Sequence, residues 1–241
     1  MKQLLFQITE NIKLTDNVMR MRLKGDTSDI TAGQFVNIKL DGLFLRRPIS
    51  VCDCSDGILT IIYKIVGKGT EQMAEMKEGT LDVLTGLGNG YDLSRSTDKP
   101  LLIGGGVGVP PMYLLAKKLR EQGKEVSVIL GFNTKDEIFY ESEFKALGCN
   151  VGVTTVDGSY GTKGFVTTLM EEIDYGYTYC CGPEPMLKAV YKASKTSGQY
   201  SFEERMGCGF GACMGCSCKT ITGYKRICKE GPVLEKEEIL W

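Results

Sequence analysis

The run Cys208-Gly-Phe-Gly-Ala-Cys213-Met-Gly-Cys216, answered by Cys228, restricts what this chain can fold into more than any other stretch. C-x4-C-x2-C with a distant fourth cysteine is the spacing of a plant-ferredoxin-type 2Fe–2S site. Gly207, Gly209, Gly211 and Gly215 belong to the same signal. A loop that wraps a cluster adopts positive φ angles and turns its N–H groups toward sulfur, and glycine permits both. A four-cysteine zinc site is the competing reading, but it usually shows two C-x2-C knuckles, and only Cys213 and Cys216 form one here. Cys218, two residues past Cys216, points away from the loop if the chain is extended there. Thr222-Gly223-Tyr224 reads as a hairpin turn that brings Cys228 back. The expected ligands are therefore Cys208, Cys213, Cys216 and Cys228, with Cys218 as packing.

Two counts support cofactor chemistry. Ten cysteines in a chain expected to be cytosolic suit metal or redox work better than disulfides. The absence of histidine removes the commonest general base and the mixed Cys/His zinc sites. A formal charge of −1 gives no pull toward nucleic acid. No segment reaches the roughly 18–20 apolar residues of a membrane span, and MKQLLFQITEN lacks a signal peptide's apolar core. The expected location is the cytoplasm. At 241 residues there is room for two compact domains and an appendage.

The first third reads as strands. Met19, Met21 and Leu23 alternate with Arg20, Arg22 and Lys24, the period of a half-buried strand. Gln34–Leu40 and Leu59–Ile65 follow, separated by glycine turns, and the spacing predicts a small antiparallel barrel. Arg46-Arg47-Pro48-Ile49-Ser50 offers a guanidinium fork and a hydroxyl, suited to phosphate and to a flavin edge, although a charged strand end has the same look. Gly67-Lys68-Gly69-Thr70 ahead of a short helix over Glu71–Lys77 can face a pyrophosphate, or be a plain turn.

From about residue 98 strands alternate with helices, which predicts a parallel sheet with ligands at the strands' carboxyl ends. Leu101-Leu102-Ile103 runs into Gly104-Gly105-Gly106-Val107-Gly108-Val109-Pro110-Pro111 and then a helix. This loop does not satisfy G-x-G-x-x-G, and Gly131-Phe132-Asn133 stands where a ribose-binding acid is expected. Four glycines beside a helix start still suit a nucleotide, so Gly105, Gly106 and Gly108 are candidate contacts; a tight turn is the alternative. Cys181 and Gly182 close the last strand at the same edge. Cys181 suits a nicotinamide pocket or simple packing, and Cys180, facing the other way, suits packing.

In order and spacing, RRPIS, Gly69-Thr70, Leu87–Gly90 (LGNG), GGGVGVPP, Asp157–Gly161 (DGSYG), Cys181–Leu187 (CGPEPML) and Glu204–Cys216 (ERMGCGFGACMGC) resemble the electron-transfer subunits of class 1B dihydroorotate dehydrogenases, within the ferredoxin–NADP reductase superfamily. The resemblance implies a ferredoxin-reductase-like FAD-binding β-barrel over 1–97, an NAD-binding α/β domain over 98–198 and a 2Fe–2S subdomain over 199–241. It gives Arg47, Pro48, Ile49 and Ser50 to the flavin, Ile62, Tyr63 and Lys64 to the flavin and its linker, and Gly69 and Thr70 to the pyrophosphate. It further implies an FMN-containing catalytic partner, in a heterotetramer of two of each subunit. Electrons from dihydroorotate would cross the cluster to FAD and then NAD⁺, in pyrimidine biosynthesis. Flavin subunits of sulfide dehydrogenases, hydrogenases or bifurcating ferredoxin–NADP oxidoreductases share much of this pattern and are the nearest alternative.

Overall fold

A computed structural model describes residues 1–241. The first six strands are β1 (Lys2–Lys13), β2 (Val18–Lys24), β3 (Phe35–Ile38), β4 (Arg47–Ser55), β5 (Ile58–Lys64) and β6 (Thr80–Leu87). They close into an antiparallel barrel in the order β1-β2-β5-β4-β3-β6. The alternation in β2 sets its register: Met21 lies opposite Ile61 and Leu23 opposite Leu59, so apolar pairs fill the interior. Closure leaves no unpaired strand edge.

Helix α1 (Lys68–Glu75) closes one end of the barrel with Met73 buried beneath it. Asn11 fixes the helix there. Its amide donates to the Met73 and Met76 carbonyls, both at 2.8 Å, and its Oδ1 accepts from the Tyr63 hydroxyl at 3.2 Å. Burial pushes that hydroxyl up to about 12. The Tyr63 side chain is thus committed to the barrel interior, whereas Ile62 and Lys64 alternate to the other face, where Ile62 is buried and Lys64 exposed.

The second unit runs β7 (Pro100–Gly105), α2 (Val109–Glu121), β8 (Ser127–Phe132), α3 (Glu141–Ala146), β9 (Asn150–Thr155), β10 (Thr162–Lys163), α4 (Val166–Met170), β11 (Tyr177–Cys181) and α5 (Glu184–Ala193). Proline stands in the first turn of α2, where its missing N–H costs no helix bond. The sheet continues past α5 with β12 (Gly198–Ser201) and, after the hairpin β13 (Ser217–Thr220) and β14 (Gly223–Arg226), with β15 (Val233–Glu235). Its order is β10-β9-β8-β7-β11-β12-β15, parallel except for β15. The chain winds outward from β7 in one direction and from β11 in the other, so the topological switch point lies between their carboxyl ends.

A division at 198/199 therefore falls inside β12, and the cysteine-bearing tail is tied into the sheet by β15. Gly-Gln-Tyr-Ser carries no period-2 pattern because all four residues are buried, which hides the strand from a reading of periodicity. The tail also packs against the barrel: Phe35, Leu84 and Leu87 share one apolar cluster with Cys216, Ile227 and Cys228. On another face α2 meets β4, where Lys117 Nζ lies 3.1 Å from Asp53 Oδ1 and 3.3 Å from Ser55 Oγ. No helix is long and apolar enough to cross a membrane.

Candidate functional site

The cysteine loop is built around sulfur. Cys208 Sγ accepts backbone N–H groups from Ala212 at 3.2 Å and from Phe210 and Cys213 at 3.5 Å. Gly209 (φ +77°) and Gly211 (φ +92°) supply the left-handed turns that aim these donors, and Met214 (φ +62°) turns the chain just past them; Gly207 and Gly215 are not left-handed. Burial alone would raise the Cys208 thiol, but the N–H groups of Phe210, Cys213 and Ala212 outweigh it and bring it down to about 6. Cys208 and Cys213 are hydrogen-bonding neighbours, and so are Cys216 and Cys228; the Cys228 N–H donates to Cys216 Sγ at 3.4 Å. Nowhere do three or more Cys, Asp or Glu side chains converge as one ion requires. Two pairs of thiols suit the two irons of a 2Fe–2S group better than a single zinc. Cys218 sits on β13, opposite Lys225 and packed against the apolar cluster.

The tail is held by two asparagines of the barrel side and braced by an arginine of its own. Asn37 Nδ2 on β3 donates to the Cys208 carbonyl at 3.3 Å. Arg226, paired with Glu230, donates to the Gly211 carbonyl at 2.6 Å. Asn89, from the LGNG stretch, acts as one more strand residue: its Nδ2 donates to the Val233 carbonyl at 2.7 Å and its Oδ1 accepts the Val233 N–H at 3.1 Å. Asn89→Ala leaves that buried Val233 pair unmet at a cost of about 1–3 kcal/mol. The expected result is a lower melting temperature together with faster loss of iron during gel filtration, read by metal analysis.

At the barrel, the two arginines of RRPIS separate. Arg46 is spent internally, 2.9 Å from Asp82 Oδ1 and donating to the Asn37 and Asp82 carbonyls. Arg47 pairs with no carboxylate and lies across Gly69, where an added Cβ would stand 2.1 Å from its Nε. A cation against the start of α1 suits a pyrophosphate. The Thr70 hydroxyl is already used, accepting the Val66 and Gly67 N–H groups at 2.9 and 3.2 Å, so it shapes the turn and leaves backbone N–H groups to face a ligand.

At the switch point the two glycine loops touch. A Cβ on Gly108 would stand 2.2 Å from the Cys181 carbonyl oxygen, and one on Gly105 or Gly182 would meet Met186 at 2.4 or 2.5 Å. Gly106 alone has open space, at φ +52°. Cys180 is fully buried, as expected; Cys181 is partly exposed, with its thiol raised to about 12 by burial.

Residues 203–240 match the iron–sulfur cluster binding domain of dihydroorotate dehydrogenase B, and residues 102–192 match the oxidoreductase NAD-binding domain. The electron transfer subunit of dihydroorotate dehydrogenase B (NAD⁺) from Fusobacterium nucleatum is 46% identical over 244 residues, covering 94% of each chain. That from Bacillus pumilus is 44% identical, covering 99% of this chain and 98% of its own. This chain belongs to that family. Among solved structures, a chain of an NADH-dependent reduced ferredoxin–NADP oxidoreductase studied for flavin-based electron bifurcation superposes with a TM-score of 0.88 at 30% identity, covering 98% of this chain and 90% of that one. The flavohaemoglobin-like FAD/NAD-binding domain of Vibrio cholerae nitric oxide dioxygenase, at 22% identity and a TM-score of 0.70, shares the fold. That chain stands further away in sequence than these two dihydroorotate dehydrogenase B subunits.

One acid escaped the sequence reading of this dihydroorotate dehydrogenase B subunit. The turn Lys135–Glu137 folds Glu137 back onto the end of β8, where its Oε2 accepts the Asn133 N–H at 3.1 Å and Asn133 Nδ2 at 2.8 Å. A carboxylate thus stands at the carboxyl end of the second strand although none occupies the strand's last residue. The Asn-x3-Glu spacing across a turn is the signal that could have located it.

Proposed function

We propose that this subunit carries electrons from the FMN-containing catalytic subunit of dihydroorotate dehydrogenase to NAD⁺, in a cytoplasmic assembly of two of each subunit. When bound, the 2Fe–2S group relays single electrons, and FAD joins that one-electron traffic to hydride exchange with nicotinamide. Cys208, Cys213, Cys216 and Cys228 hold the cluster. Arg47, Gly69 and the backbone of Thr70 hold the FAD pyrophosphate, while Pro48, Ile49 and Ser50 on β4, with Ile62, Lys64 and the backbone of Tyr63 on β5, line the flavin. Gly105, Gly106, Gly108, Cys181 and Gly182 shape the crevice for the nicotinamide nucleotide. No side chain is asked to take a proton, which agrees with a histidine-free chain.

The observation that carries this reading is the seating of the cluster loop on β3, the strand beside the RRPIS motif, in a chain 46% identical to a known electron transfer subunit. Phe210, Met214, Ile221 and Tyr224 are exposed around the same lobe, and the catalytic subunit covers them. The test is dihydroorotate-dependent NAD⁺ reduction when the cognate catalytic subunit is added. No activity with that subunit, alongside activity with sulfide or ferredoxin, overturns the reading.

Glu137 gives NAD⁺ its preference: its carboxylate accepts a ribose hydroxyl and repels a 2′-phosphate. Glu137→Gln keeps the acceptor but removes the charge. The expected result is a shift in relative kcat/KM toward NADPH of about tenfold, equivalent to ~1.4 kcal/mol. An unchanged ratio removes Glu137 from the site.

A further inference from the structure

Between the barrel and the cysteine-bearing tail an apolar cluster forms much of the contact, with a polar side chain set into it. Phe35, Leu84 and Leu87 on the barrel meet Cys216, Ile227 and Cys228 on the tail, and Asn37 stands among them, 1% exposed. Its strand neighbours Val36 and Ile38 turn into the barrel core, so Asn37 faces the tail. Its Nδ2 donates to the Cys208 carbonyl, and its Oδ1 has no partner. An amide half-satisfied in an apolar wall is a poor choice for stability alone, since an orphaned buried acceptor costs about 1–3 kcal/mol. Packing therefore does not account for it, and its bond to the loop does.

Two further observations give that bond a direction. A Cβ on Gly209 would stand 2.2 Å from Asn37 Nδ2, so the loop lies flush on this amide. On the other side, the ladder partner of Asn37 is Pro48, inside RRPIS. The first cysteine of the loop is thus one hydrogen bond and one ladder step from the flavin strand.

We propose that Asn37 is the positioning residue that sets the gap between the cluster and the flavin. It does so by pinning the Cys208 carbonyl to β3. This rests on Cys208 being a cluster ligand and on the barrel holding FAD. Transfer of an electron between fixed centres slows steeply as the gap widens, and the three N–H groups on Cys208 Sγ keep their aim only while the loop is held. Hydrogen bonds to cluster sulfurs also tune the reduction potential. Asn37 therefore acts on both the rate and the potential of one step, without touching nicotinamide.

The test uses the complex with the catalytic subunit and two substitutions: Asn37→Leu, which keeps the branched shape but drops the bond, and Asn37→Asp, which sets a carboxylate against the Cys208 carbonyl. Rapid mixing with NADH follows flavin bleaching and cluster reduction separately, and EPR-monitored titration gives the cluster potential. The expected result is an unchanged rate of flavin reduction, cluster reduction slowed about tenfold or more in Asn37→Asp, a smaller slowing in Asn37→Leu, and an altered EPR signal in both. Should either variant fail to fold, Gly209→Ala separates the same contact from the loop side and must give the same pattern. Wild-type cluster rate and EPR signal in the variants overturn the proposal, and so does an equal slowing of flavin and cluster. A wild-type complex with no 2Fe–2S signal would instead remove the reading on which the proposal rests.

Discussion

Cys208→Ser is expected to abolish the 2Fe–2S absorbance and dihydroorotate-dependent NAD⁺ reduction, and Cys218→Ser to keep both. The two sulfurs differ in what surrounds them. Three backbone N–H groups point at Cys208 Sγ and hold its thiol down at about 6, the environment of a thiolate ligand. Cys218 sits partly buried in β13 against an apolar cluster, and burial raises its thiol. A serine at 208 is a harder, shorter ligand in a loop shaped for sulfur. Its cost exceeds the about 10–100-fold that loss of an outer hydrogen-bond partner brings at metal sites. NADH reduction of bound FAD is expected to continue in Cys208→Ser, because the glycine loops at β7 and β11 pack on each other and on Met186. Iron analysis and visible absorbance check the first half, and the coupled assay with the catalytic subunit checks the second. Loss of the cluster in Cys218→Ser would return the ligand set to an open question.

The parts of the molecule that repeat were legible in the sequence. Met19, Met21 and Leu23 alternate because one face of β2 fills a barrel, and strand–helix alternation past residue 98 is what a parallel sheet requires. What stayed hidden was set by contacts between distant segments. β12 has no alternation because it is covered on both faces, and β15 is three residues whose partner is known only after the chain returns. The resemblance gives Tyr63 to the flavin and its linker, but it does not say where the side chain points. Only the pleat, and a hydroxyl reaching Asn11 some 52 residues earlier, turn its ring inward. Glu137 was hidden by a turn that brings it back to the end of β8. Asn37 was indistinguishable from an ordinary polar strand residue, since its partner lies 171 residues downstream.

Gly108→Ala is expected to disable the crevice proposed for nicotinamide while leaving both other sites loaded. The added methyl would stand 2.2 Å from the Cys181 carbonyl oxygen and 2.6 Å from the Gly182 nitrogen, and both are backbone atoms that cannot rotate aside. Nor can the start of α2 retreat, because Val109 Cα already sits 2.8 Å from where a Gly104 Cβ would be. The carboxyl ends of β7 and β11 must therefore separate, and a misplacement on the order of 1 Å costs about 100-fold in a step that depends on alignment. Overpacking adds a stability loss of about 1–3 kcal/mol. Gly106→Ala is the informative contrast: its methyl meets nothing within 4 Å, and its positive φ costs only ~1–2 kcal/mol. Flavin bleaching by NADH should then fall about 100-fold in Gly108→Ala. FAD content and cluster absorbance stay at wild-type levels, because those sites rest on the barrel and the tail. Wild-type bleaching in Gly108→Ala would mean that the nucleotide does not enter where β7 and β11 diverge.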